Sequence, residues 1–126
     1  MSDGPAPRVL LVEDEPRIAA FVAKGLRRAG WDVVVAEDGA VGLFLVTTEP
    51  FDAVVLDLGL PDTDGLSVLR TIQEGPTSPP VVVLTGQDDP ASRKASTAAG
   101  ARALVTKPFA LGDLRTALEG VLDRRG

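Results

Sequence analysis

Five polar residues stand at the ends of apolar runs in this chain, and together they could do one kind of chemistry. Glu13 and Asp14 follow Arg8–Val12, Asp57 follows the run at 51–56, Thr85 follows 81–84, and Lys107 lies just past 102–105. Each has an ordinary reading alone. Asp14 could cap a helix, and Asp57 could begin a loop. Thr85 has the β-branched side chain that strands favour, Lys107 could be a solvated surface lysine, and Glu13 by itself says little. Brought to one rim, the set is harder to explain that way. Three acids with no charge partner nearby in sequence repel one another, and a divalent cation offsets that repulsion. Oxygen ligands in a chain without His or Cys point to Mg²⁺ or Mn²⁺ rather than zinc. A lysine and a hydroxyl facing the same spot supply donors for a bound oxyanion. Around one further carboxylate, these groups make a device for phosphoryl transfer onto that carboxylate. Asp57 is the favoured nucleophile, because its strand lies between the other elements.

The elements that would position these residues alternate along the chain. Arg8–Val12 is apolar in the manner of a parallel strand buried on both faces. A helix over 17–29 follows, with Ile18, Phe21, Val22, Gly25 and Leu26 at helical spacing, Pro16 suited to its first position and Gly30 ending it. Asp32–Ala36 is the second strand. Asp38 then caps a helix reaching Thr48, with Val41, Leu43, Phe44 and Leu45 as its apolar residues, and Pro50 stops it. The third strand is 51–56, followed by a loop at 59–65 and a helix over 66–73. Beyond a Pro-rich connector come a fourth strand at 81–84, a helix at 90–99, a fifth strand at 102–105 and a last helix at 113–122. Leu114, Ala117, Leu118, Val121 and Leu122 share one side of that last helix. Five β-α units of roughly 25 residues predict an α/β fold, a doubly wound five-stranded parallel sheet with right-handed crossovers. Ligands of such sheets bind at the carboxyl edge, where the strand order reverses. The five polar residues fall there.

Composition excludes other classes. The chain has 126 residues, 44% apolar and 25% charged, the balance of one globular domain with no room for a second. With no Cys and no His there is no disulfide framework, no thiolate or imidazole metal site, and no Cys or His nucleophile. A formal charge of −5 argues against direct binding to nucleic acid or to an anionic membrane. No apolar run approaches the ~20 residues of a membrane span. Residues 1–7 lack the basic start and apolar stretch of a signal peptide and read as a disordered lead-in to a domain over 8–124. A cytoplasmic protein is expected.

The segments VEDEP, LDLGLPDTDG, VVVLTG and GARALVTKPF, in this order and spacing, resemble the receiver domain of two-component response regulators. The resemblance runs from Arg8 to about Leu122. It implies the CheY-like, flavodoxin-like (βα)5 fold with strand order 2-1-3-4-5, and a phosphorylation-dependent signalling switch. The phosphoacceptor would be Asp57, taking its phosphoryl group from a phosphohistidine of a sensor histidine kinase or phosphotransfer protein. Mg²⁺, with Mn²⁺ as a substitute, would be held by Asp14, Asp57 and the backbone carbonyl of Gly59, with Glu13 acting through water. Thr85 and Lys107 would contact the phosphoryl oxygens, and the Lys107–Pro108 bond would be cis. The surface of the fourth helix, fifth strand and fifth helix would change on phosphorylation to meet a downstream protein target or an output domain. Such a protein catalyses only its own phosphorylation and dephosphorylation and is a monomer until phosphorylated. Two rival readings are weaker. A phosphatase-type enzyme with an aspartyl nucleophile needs a second Asp two residues on, where Gly59 stands. A constitutive interaction domain with an inactive site is opposed by the presence of all five pocket residues.

Some positions depart from the family pattern. Leu104 stands where receivers carry Tyr or Phe, so the usual aromatic readout is in doubt. Thr97, Ala98, Ala103 and Ala117 replace the Leu, Glu, Asp and Arg with which the winged-helix members dimerise, so that dimer is expected to be absent or weak. Over 91–99 the only apolar residues are alanines. Burying them yields far less than the ~1.5–3 kcal/mol of a Leu or Ile, so this helix is expected to be weakly docked and easily displaced. Gly86 removes a side chain where a donor approaches. Gly59 and Gln87 occupy places that tune acyl-phosphate hydrolysis in the family. Trp31 sits at the turn before the second strand, apart from the site.

Overall fold

Each apolar run becomes a strand whose side chains alternate between two cores. Strands β1 (Arg8–Val12), β2 (Asp32–Ala36), β3 (Ala53–Asp57), β4 (Val81–Thr85) and β5 (Ala103–Thr106) pair in parallel in the order β2-β1-β3-β4-β5. Five helices connect them: α1 (Pro16–Arg28), α2 (Gly39–Thr48), α3 (Gly65–Glu74), α4 (Pro90–Ala98) and α5 (Leu111–Asp123). The structure is a computed structural model and describes residues 6–86 and 89–123. Most of the expected lead-in, Gln87 and the expected domain end at Arg124 lie outside the described residues.

Val9, Leu11, Val55 and Leu84 belong to the core under α1 and α5, whereas Leu10, Val12, Leu56 and Val83 belong to the core under α2 and α3. Alternation with a period of two on strands covered from both sides is why β1, β3 and β4 read as unbroken apolar runs. Among the described residues, no helix is long and apolar enough to cross a membrane.

The helices turn differently from the expected stripes. On α1 the buried residues are Ala19, Val22, Ala23 and Leu26, while Phe21 is 53% exposed. On α2 Gly42 and Val46 face inward, and Phe44 is 65% exposed. The cause on α2 is steric. A Cβ on Gly42 would come within 2.9 Å of the Val12 side chain, so the helix lies against β1 along its glycine edge. Gly25 plays the same part on α1, where a Cβ would collide with Leu111. That close approach packs the first turn of α5, which begins at Leu111 rather than at 113. The third strand begins two residues later than expected, because Asp52 turns out to accept the Arg8 N–H at 2.8 Å. The fifth strand is displaced by one residue and pairs Thr106 with Thr85.

Asp38 caps α2 as its sequence position suggests, accepting the Val41 N–H at 2.8 Å. A second carboxylate does more there. Asp62, in the loop after β3, accepts the N–H groups of Gly39 and Ala40 at 3.0 and 3.2 Å. These bonds to backbone amides hold its carboxyl below its ordinary pKa. Asp62→Ala is expected to lower the melting temperature and to speed amide exchange at 39 and 40, leaving the strands protected. Unchanged exchange at those two amides would refute the clamp.

Candidate functional site

The register brings the strand ends to one edge. Val12 pairs with Leu56, Asp57 with Leu84, and Thr85 with Thr106. Glu13, Asp57, Thr85 and Lys107 therefore emerge side by side at the carboxyl edge, with Asp57 on the central strand. Lys107 is further tied to β4 by its N–H, which donates to the Thr85 carbonyl at 2.8 Å. The Lys107–Pro108 bond is cis.

Glu15, not Asp14, caps α1, accepting the Arg17 N–H at 3.0 Å. Asp14 is left exposed at the rim. Glu13 and Asp57 are buried, at 1% and 4% exposure. Carboxylate oxygens of Glu13, Asp14 and Asp57 lie within 4.8 Å of one another. Lys107 reaches into the group, its Nζ 3.2 Å from Asp57 Oδ2 and 3.5 Å from Glu13 Oε1. Asp57 Oδ1 accepts the Gly59 N–H at 2.9 Å. Among the described residues, Lys107 is the cation that reaches these carboxylates. Burial pushes the Glu13 carboxyl up to about 7, and the charge of Asp57 adds to that. The Glu15 N–H and Lys107 act in the opposite direction.

The cleft around these groups measures about 820 Å³. Its floor is Asp57, Thr85 and Lys107. Ala91, Ser92, Ala95 and Ser96 of α4 form one wall. The sequence marks 91–99 as an alanine-only, weakly docked helix but not as a wall of this cleft, for which the serines at 92 and 96 are the further signal. Thr85 is buried. Gly86 lines the cleft, and a Cβ there would meet no atom of the protein within 4 Å. At Gly59 a Cβ would stand 3.5 Å from Asp57 Oδ1, in ordinary contact with that carboxylate. Trp31 lies at the start of β2, the opposite edge of the sheet.

These donors fit a hard divalent cation. Glu13 Oε1 is buried with no hydrogen-bond partner, only the ion pair with Lys107 at 3.5 Å, and three carboxylates with no softer donor suit Mg²⁺ or Mn²⁺.

With that geometry in place, comparison with known proteins identifies the class. The response regulator receiver domain model matches residues 9–119, and the chain belongs to that family. Transcriptional regulatory protein TrcR of Mycobacterium tuberculosis is 41% identical over 123 residues, covering 98% of this chain and 48% of TrcR. The chain spans about half the length of the curated relatives it matches. Among solved structures, the Francisella response regulator 1452 receiver domain superposes with a TM-score of 0.91 at 30% identity, covering 95% of this chain and 99% of that one. The receiver domain of a sensor histidine kinase from Pseudomonas aeruginosa PAO1, with a magnesium ion coordinated in its active site cleft, gives a TM-score of 0.86 at 28% identity, covering 94% and 98%.

Proposed function

We propose that this chain is a phosphorylation-dependent signalling switch in which Asp57 accepts a phosphoryl group from a phosphohistidine of a sensor histidine kinase or phosphotransfer protein. The observation that carries this reading is the contact of Lys107 with both Asp57 and Glu13 inside a cluster of three carboxylates. A carboxylate oxygen of Asp57 forms the new P–O bond as the P–N bond of the donor breaks, and the electron pair returns to the imidazole nitrogen. Asp14, Asp57 and the Gly59 carbonyl would hold Mg²⁺, or Mn²⁺ in its place, with Glu13 acting through water, and the ion supplies charge neutralisation on the phosphoryl oxygens. Lys107 turns from pairing Asp57 to pairing the transferred group, whose oxygens carry about −1.5 to −2 charges. The Thr85 hydroxyl donates to the same oxygens. Burial of Asp57 and partial burial of Lys107 strengthen these contacts relative to water.

The receiver would span 8–124, act in the cytoplasm and signal through the α4–β5–α5 surface to a protein target or an output domain. It is a switch rather than a turnover enzyme. Gly59 stands where a phosphatase of this type needs its acid, and it offers Asp57 only a backbone N–H. The test is incubation with a radiolabelled small phosphodonor. Label is expected to enter only with Mg²⁺ or Mn²⁺ present and to be blocked by a chelator. Metal-independent labelling, or rapid turnover of organic phosphates, would contradict the reading.

A further inference from the structure

Among the described residues, two buried side-chain oxygens have no hydrogen-bond partner, Glu13 Oε1 and Ser96 Oγ, and both residues line the same cleft. The first belongs to the carboxylate cluster. The second belongs to α4 and has no part in the chemistry described so far. Ser96 is 1% exposed and is the one buried residue within α4. A helical hydroxyl can satisfy itself by donating to the carbonyl one turn back. Thr47, Thr48 and Thr71 do this, bonding to the carbonyls of Leu43, Phe44 and Ser67. Ser96 does not. Its carbonyl is engaged, accepting the Ala101 N–H at 3.0 Å where Gly100 closes the helix, so the residue is anchored while its hydroxyl is not. An unpaired buried hydroxyl disfavours the arrangement that leaves it so. The rest of the α4 wall is alanine and serine, with little apolar area to resist a shift.

We propose that Ser96 is a positioning residue of the switch: its hydroxyl gains a hydrogen bond in the cleft when Asp57 carries a phosphoryl group, and so fixes α4 against the modified site. The new partner is a phosphoryl oxygen or a water bound to one, since the modification brings acceptors into the cleft that Ser96 already lines. The proposal rests on the reading of Asp57 as phosphoacceptor.

Ser96→Ala tests it, with beryllofluoride and Mg²⁺ as the probe. Without the probe, the variant is expected to melt about 3 °C or more above the unsubstituted chain, because the orphan hydroxyl is gone. With the probe, its affinity is expected to fall about tenfold. The probe-induced change in amide exchange over 95–99 is expected to shrink. A variant that melts higher yet keeps full affinity and the full exchange change would make Ser96 merely structural and overturn the proposal. A lower melting temperature would overturn it too, as would neutrality in both states, the sign of a back bond to Ser92. Failure of the unsubstituted chain to bind the probe would refute the phosphoacceptor reading itself, a distinct outcome.

Discussion

Asp57→Asn is expected to reduce phosphoryl incorporation from a small donor to background, a drop of about a thousandfold or more, while raising the melting temperature of the ion-free protein. The two effects have one origin. Asn keeps the shape of the side chain and can still accept the Gly59 N–H that Asp57 Oδ1 holds at 2.9 Å. It lacks the nucleophilic oxygen and the charge. Removing that charge relieves Glu13, whose carboxyl Asp57 helps push up. Lys107 then faces a single buried carboxylate instead of two. Labelling and a thermal melt on the same sample check both arms. Loss of label together with loss of stability would mean that Asp57 is needed for folding, and would remove the argument for a nucleophile.

The second large effect is on pH dependence. In the folded, ion-free protein the Glu13 carboxyl is raised to about 7, against an ordinary value of 4.5. Below 4.5 both folded and unfolded chains hold this proton and the favourable contribution is fully present. As the pH rises from 4.5 towards 7 the unfolded chain releases the proton first, so stability falls across that window and levels off above it. The whole change amounts to about 3 kcal/mol. Glu13→Gln removes the titrating group and can still accept the Glu15 N–H. Denaturant titrations from pH 4.5 to 8 are expected to show this slope in the original chain and a flatter profile in the variant, which is the more stable at pH 8. Parallel slopes would contradict the assignment. Saturating Mg²⁺ is expected to suppress the slope, since Glu13 would then face a cation.

The order of elements and the edge where the site lies could be read from the residues alone. Strands covered on both faces cannot hide their identity, and the polar residues that interrupt them mark where the chain leaves the sheet. What escaped was rotational. Helix α2 is apolar on every side, so nothing in its composition says which side turns inward, and the contact of Gly42 with Val12 decides it. Phe21 was misassigned because the small residues Ala19 and Ala23 let α1 approach the sheet more closely than a ring allows. Asp14 and Glu15 are adjacent carboxylates, and only the backbone path into Pro16 settles which of them caps the helix. The serine at 96 is visible among alanines, but its meaning comes from a buried hydroxyl left without a partner.

Calorimetric titration of the chain with Mg²⁺ probes the central claim most directly. The expected result is a single binding event with measurable heat, lost in Asp14→Ala and in Asp57→Asn. No heat at any concentration, or a single event that survives in both variants, would contradict a cation site built from these carboxylates and with it the account of Asp57.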